Sequence, residues 1–350
     1  MKNEGGRLVV GQRFEKLGLV SGAVFSDLDG DGKMDIIASN WGLNSKYRTS
    51  REHRRKIYYG DLEGHGVVDV IEAYYDEGMK AEVPERRWRA VGGALPFVKE
   101  KFSTYEAYGR ASLQEIYGDK LQRMRVVEVS TLESMVFLNR GDHFEGRVLP
   151  AEAQWAPAFA VCVGDYDGDG KEDVFLSQNF FAMNAETSRC DAGRGLWLKG
   201  DGKGNLSAVA GQESGVKVYG EQRGAALCDY DGDGRVDLVV TQNGAETKLY
   251  HNVGGRPGLR VKLNGPPENP KGIGAQLRLI FGQRPGALRE IHAGSGYWSQ
   301  DSAIEVLGTP EAPTGLWVRW AGGRTTTNSV PPGAREIEVD VEGKMRVLRQ

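Results

Sequence analysis

Four stretches of the chain follow one plan of polar and apolar positions: a short apolar lead-in, a nine-residue acidic loop, then a compact apolar run. They are AVFSDLDGDGKMDIIASN (23–40), IYYGDLEGHGVVDVIEAYY (57–75), AVCVGDYDGDGKEDVFLSQN (160–179) and AALCDYDGDGRVDLVVTQN (225–243). In the three full copies the runs after the loop are IIA, VFL and LVV. They are rich in β-branched residues, too short for helices, and continuous rather than alternating, which predicts short strands buried on both faces. Each acidic loop therefore joins two strands of one sheet, and the three full copies then end in Ser/Thr and Asn. More strand candidates with Gly/Asn turns lie nearby, in 134–149, 195–209 and 247–263. Units of about four short strands, repeated along the chain, predict an all-β protein built as a β-propeller, closed or partial.

The loops start at 27, 61, 165 and 229, and the long gap between the second and third holds a change of period. Over about 80–125, Leu95, Val98, Phe102, Tyr105, Leu113 and Ile116 recur at helical spacing among Lys, Arg and Glu. This predicts a helical insertion, read as structural. Near the C-terminus the pattern becomes β again: AQLRLIF alternates, LWVRW is strand-like, and AGG and PPG make turns. The expected organisation is propeller blades over 1–257 and a small β domain over 258–350.

Composition sharpens this picture. Glycine makes up 49 of 350 residues, about twice the usual ~7%, as many tight turns require. The formal net charge of −3 leaves no basic footprint for nucleic acid, and the short clusters HRRK (53–56) and RRWR (86–89) read as solvated faces. Three cysteines, Cys162, Cys190 and Cys228, make neither a disulfide framework nor a zinc site. No run of about 18 apolar residues predicts a membrane span, and MKNEGGRLVVGQRFEK lacks the apolar centre of a signal peptide.

The acidic loops carry the chemistry. In the first, Asp27, Asp29, Asp31 and Asp35 stand at positions 1, 3, 5 and 9; Asp165, Asp167, Asp169 and Asp173 repeat this, as do Asp229, Asp231, Asp233 and Asp237. Like charges this close repel unless a cation sits among them. Oxygen-only ligands in a flexible loop specify a hard ion and favour Ca²⁺. The carbonyl at position 7 (Lys33, Lys171, Arg235) is available as a further ligand. An EF-hand would need a bidentate Glu at position 12, where Ala38, Leu176 and Val240 stand. The eroded loop has Asp61, Glu63 and Asp69 but His65 at position 5, so it is either a weak fourth site or a plain turn. About three Ca²⁺ sites are expected.

Other chemistry is sparse. There is no GxSxG, HExxH, P-loop or GxGxxG motif, and His292 stands without a placed acid or nucleophile. The stretch HAGSGYWSQ (292–300) sets Tyr297 and Trp298 beside glycine turns. A glycan or peptide surface would use such aromatics; a Trp packed in the core is the plainer expectation.

Asp-x-Asp-Gly-Asp-Gly-x-x-Asp between a lead-in strand and an apolar strand resembles the FG-GAP/VCBS repeat of integrin-α-like propellers. The blocks NPKGIGAQLRLIFG (269–282), REIHAGSGYWSQDSAIEVLG (289–308) and GLWVRWAGGR (315–324) resemble the ASPIC/UnbV domain, as in the cartilage acidic protein family. The resemblance implies a calcium-dressed propeller followed by a small β domain, usually in exported proteins, hence extracellular or periplasmic. It assigns the twelve loop aspartates as metal ligands. Such propellers usually close with about seven blades, more than the loops visible here.

The expected function is that of a calcium-stabilised, non-enzymatic scaffold that binds another protein or a glycan. Two alternatives stand beside it: a polysaccharide lyase or hydrolase using the propeller face, and a structural subunit whose ring is completed by self-association.

Overall fold

A computed structural model of the chain describes residues 2–4, 7–9, 18, 20–295 and 297–350. Strands make up 38% and helices 11%, so the protein is mostly β-sheet. It forms two compact units, one of Met1–Leu19 with Tyr47–Leu132 and one of Val20–Lys46 with Glu133–Gln350.

The larger unit begins with three antiparallel meander sheets. The first runs Gly22–Ser26, Asp35–Ser39, Met135–Asn139, Phe144–Val148; the second runs Ala158–Gly164, Asp173–Gln178, Leu196–Gly200, Leu206–Val209. The third has three strands rather than the expected four: Gln222–Cys228, Asp237–Gln242, Ala245–Tyr250. In each sheet a full acidic loop joins the first two strands in the same register, pairing Ser26 with Asp35, Gly164 with Asp173 and Cys228 with Asp237.

The sheets stack in chain order, and alternation along the strands decides what faces what. Val161, Val174 and Leu176 of the second sheet pack with Val24, Ile37 and Leu138 of the first. Ala160, Cys162 and Phe175 point the other way, onto Ala225, Leu227 and Leu238 of the third. The second sheet is thus buried on both faces, and all of Asp173–Gln178 is buried, as the unbroken apolar run predicts. Phe25 and Leu249, on the first and third sheets, are about half exposed.

The serines that end the first two copies stitch these sheets together, whereas Thr241 of the third bonds Gly224 O within its own sheet (3.0 Å). Ser39 Oγ donates to Phe159 O (3.1 Å), one sheet on, and Ser177 Oγ donates to Arg223 O (2.6 Å), the next sheet again. Asn179 binds the backbone of Gly193 from both ends of its amide (2.9 and 2.8 Å). Buried hydroxyls and amides thereby meet their partners as they must.

Residues from Leu259 onward make a two-sheet sandwich in the same unit. Leu259–Asn264 pairs in parallel with Glu336–Asp340, and Gln276–Phe281 pairs antiparallel with Gly315–Arg319. Alternation along Leu259–Asn264 turns Leu259, Val261 and Leu263 inward, and Val261 packs with Leu277, Leu316, Trp320 and Ile337 between the two sheets. The boundary drawn at 257/258 falls inside the larger unit.

The smaller unit holds a sheet ordered Ala81–Pro84, Asp69–Asp76, Arg55–Gly60, Arg125–Val129. Helices between Trp88 and Tyr117 bury Val91, Leu95, Val98, Leu113 and Ile116 against Tyr58 and Ile71. Tyr105, part of the helical stripe, is exposed instead. Ser112 caps the helix Leu113–Tyr117, with Glu115 closing the box. The eroded 57–75 copy belongs to this unit, where its two strands pair with each other. The interruption is also wider than its helices, because all of Tyr47–Leu132 enters between the second and third strands of the first sheet.

Those two strands are direct neighbours, with Ala38 opposite Met135. Replacing residues 47–132 by a short turn should leave the larger unit with a cooperative, β-type melt by circular dichroism. Loss of the cooperative transition would show that the host sheet depends on the insert.

Candidate metal centres

The acidic loops curl because positions 4 and 6 are glycines in left-handed backbone. Gly30 and Gly32 have φ of 73° and 83°, Gly168 and Gly170 75° and 83°, and Gly232 and Gly234 76° and 86°. The curl points amides inward. Asp165 accepts N–H bonds from Gly168, Asp169 and Gly170 (2.8, 3.1 and 2.7 Å), and Asp229 does the same with Gly232, Asp233 and Gly234 (2.8, 3.0 and 2.8 Å). Asp27 accepts from Gly32 and Leu288 through Oδ2 (3.1 and 2.9 Å), while its Oδ1 is buried without a partner.

Position 9 is the anchor. Asp35 accepts from Leu28 and Asn139 (2.9 and 2.7 Å), Asp173 from Tyr166 and Gly200 (3.1 and 2.8 Å), and Asp237 from Tyr230 and Asn252 (3.1 and 2.8 Å). One carboxylate so ties its loop to the third strand of its sheet, and all three are fully buried.

Ligand atoms of positions 1, 3 and 9 gather within 4.8 Å of one another in each loop: Asp27, Asp29 and Asp35; Asp165, Asp167 and Asp173; Asp229, Asp231 and Asp237. The position-5 carboxylates lie outside these triples and turn to the position-7 residue. Asp31 takes Lys33 N (2.9 Å) and Nζ (2.6 Å), Asp169 takes Lys171 N (3.0 Å) and Nζ (3.2 Å), and Asp233 pairs with Arg235. Position 7 therefore brings its side chain and its amide to the loop.

A second set of basic side chains was not read from the sequence. Arg140 meets Asp29 (2.6 Å), Lys199 meets Asp167, and His251 meets Asp231 (3.0 Å). Each position-3 aspartate thus faces a basic residue from the end of its sheet's third strand. The available signal was Arg, Lys or His within one residue of Asn139, Gly200 and Asn252, the residues whose amides bind position 9.

The eroded loop behaves differently. Asp61 accepts N–H bonds from Gly64, His65 and Gly66 (2.6, 2.9 and 2.7 Å), and the Gly66 bond foremost holds its carboxyl below the ordinary range. Glu63 lies 3.8 Å from Lys120, and Asp69 accepts from Leu62 N (3.1 Å). Among the described residues this loop gathers no ligand triple.

Burial dominates the electrostatics of the full loops. It pushes Asp27 and Asp165 up to about 6 and Asp173 up to about 8, and it raises Asp35 and Asp237. Desolvated, oxygen-only triples, the first with an unpartnered Asp27 Oδ1, fit a hard divalent cation better than they fit bare ionised carboxylates.

The C-terminal sandwich closes over all three loops. Leu288 N reaches Asp27; Arg289 grips Glu172, the residue before Asp173, through Nε and Nη2 (both 2.8 Å); Arg260 pairs with Asp229. A Cβ at Gly308 would overlap Asp165 Oδ2, so only glycine allows this approach. Arg289 also touches Glu305 (3.3 Å), whose carboxyl burial pushes up to about 7. Asp301 accepts Leu227 N (2.7 Å), and Ser302 N returns a bond to Leu227 O (2.8 Å). His292 lines the small cavity of about 60 Å³ along this seam, 3.6 Å from Glu290. In the 292–300 stretch Tyr297 packs edge-on to Phe159 at 5.4 Å. Trp298 is 91% exposed at φ 51°, so the packed aromatic is the tyrosine and not the tryptophan. Gly296, named in the same stretch, lies outside the described residues.

In the unfolded chain these aspartates titrate near ~3.9. Without metal, the folded chain keeps protons that the unfolded chain has already released, so this stability is full below pH ~4. It is lost as pH rises through about 6 for Asp27 and Asp165 and about 8 for Asp173. Chelator-treated protein should melt higher at pH 5 than at pH 8.5, and saturating Ca²⁺ should shrink or reverse the gap. A chelated melting temperature that climbs over this range would refute the burial account. Separately, Glu172→Gln strips a buried guanidinium of its bidentate partner and should cost about 3 kcal/mol in urea unfolding. A change under ~0.5 kcal/mol, the size expected of a surface substitution, would mean the pair is not desolvated.

Two similarities to known proteins bear on the chain. Residues 265–345, within the sandwich, match the family described as ASPIC and UnbV. Cartilage acidic protein 1 of Xenopus tropicalis is 26% identical over 197 residues, a match that spans 53% of this chain and 29% of that protein. The chain therefore covers less than a third of the length of that relative.

Proposed function

We propose that the chain is a calcium-stabilised scaffold, in which the three loop-bearing sheets are propeller blades of the FG-GAP/VCBS kind and bind no substrate for chemistry. One observation carries this reading: three equivalent loops each bury carboxylates in a cluster, and in the first of them Asp27 Oδ1 has no protein partner. Asp27, Asp29 and Asp35, with their counterparts at 165, 167 and 173 and at 229, 231 and 237, are the residues that would hold the ions. A bound Ca²⁺ supplies two positive charges and removes the repulsion within each triple. The chain's own residues do the rest: glycines shape the loop, position 9 ties it to the third strand, and Arg260, Leu288 and Arg289 fasten the sandwich over it. Resemblance to an acidic protein named from cartilage supports an extracellular setting, and the partner in this reading is a protein or a glycan.

Calorimetric titration of Ca²⁺ into chelator-treated protein should find about three sites. Binding to the folded form alone adds about 2.7 kcal/mol per site at a hundredfold excess over Kd. Asp167→Ala should remove one site and Asp61→Ala none. Absence of saturable binding, or a site lost with Asp61, would sink the assignment.

A further inference from the structure

We infer that the larger unit carries a pocket for a neutral saccharide between its second and third sheets. The cavity measures about 450 Å³, within the ~300–1,000 Å³ usual for small-molecule sites. Trp197 comes from the third strand of the second sheet and Tyr250 from the third strand of the third, and Tyr166 reaches the wall from the second acidic loop. Trp197 and Tyr166 meet edge to face, with ring centroids 5.6 Å apart at 64°. The polar side chains of the lining include Asp167, Gln212, Glu213 and His251.

This mixture selects the ligand. Sugars present apolar C–H faces, which lie on aromatic rings, and hydroxyls that need donors and acceptors together. An aromatic wall beside an amide, two carboxylates and an imidazole offers both. Asp167 is already paired with Lys199, which leaves Glu213 as the free acid of the lining, and a carboxylate there disfavours an anionic sugar, so the ligand is neutral. Asp167 belongs both to this wall and to the second loop's ligand triple. The pocket rests on the scaffold reading through that one residue, and an ion at the loop would fix the wall.

The test uses the full chain with Ca²⁺ present, titrated by calorimetry and saturation-transfer NMR. The probes are cellobiose and diacetylchitobiose as neutral sugars, a galacturonate disaccharide as an anionic one, and tetramethylammonium as a cation. Saturable binding of a neutral sugar is expected, at least tenfold tighter than the galacturonate, with a tenfold loss in Trp197→Ala and in Gln212→Ala. Gln212 is exposed, so its variant keeps the fold and separates lost contact from lost structure. No neutral sugar binding, unchanged affinity in both variants, or preference for galacturonate or tetramethylammonium would overturn the proposal. Ca²⁺ stoichiometry is measured on the same samples. Three ions bound with no sugar overturns the pocket alone, and sugar bound without Ca²⁺ uptake overturns the scaffold reading and the link through Asp167.

Discussion

A charged group placed where water cannot reach it must be answered by something, and the larger unit is arranged around that requirement. Asp35, Asp173 and Asp237 open the second strand of each sheet in full burial, and each accepts one amide from its own loop and one from the third strand. The same oxygens thereby set the loop's curl, the strand register and the place where further carboxylates collect. Amides alone leave these groups desolvated, which is why burial raises their proton affinity. Beside them Arg140 and Lys199 supply positive charge from the neighbouring strand ends, and His251 stands at the equivalent place in the third sheet.

Much of this was legible in the letters. The continuous apolar runs gave away the both-face burial of the second sheet, since Val174 and Leu176 face one neighbour and Phe175 the other. The terminal Ser/Thr and Asn of each copy were visible too, although the bonds of Ser39 and Ser177 to the next sheet were not. Periodicity found the helical stretch, with Leu95, Val98, Leu113 and Ile116 buried as expected. It missed that the 57–75 copy folds with those helices, because a local motif carries no record of which strands it will join.

What the sequence hid was contact across long separations. Nothing near Leu288 marks it as a partner of Asp27, and nothing near Arg289 marks it for Glu172; only three-dimensional closure brings them together. Glu172 was the one hint, since Met34 and Val236 occupy the same position in the other loops and a charge there asks for a partner. The position-5 aspartates show the opposite limit. Spacing enrolled them with positions 1, 3 and 9, whereas a cationic side chain two residues on draws them aside.

The route of the chain through the first sheet has its own thermodynamic meaning. To that sheet, all of Tyr47–Leu132 is a single hairpin connection between strands that lie side by side. The entropy of closing a connection grows only with the logarithm of its length, about 0.6 kcal/mol for each doubling. A host built this way is nearly indifferent to how much is spliced into it, so the junction is a place where whole modules are exchanged at little conformational cost.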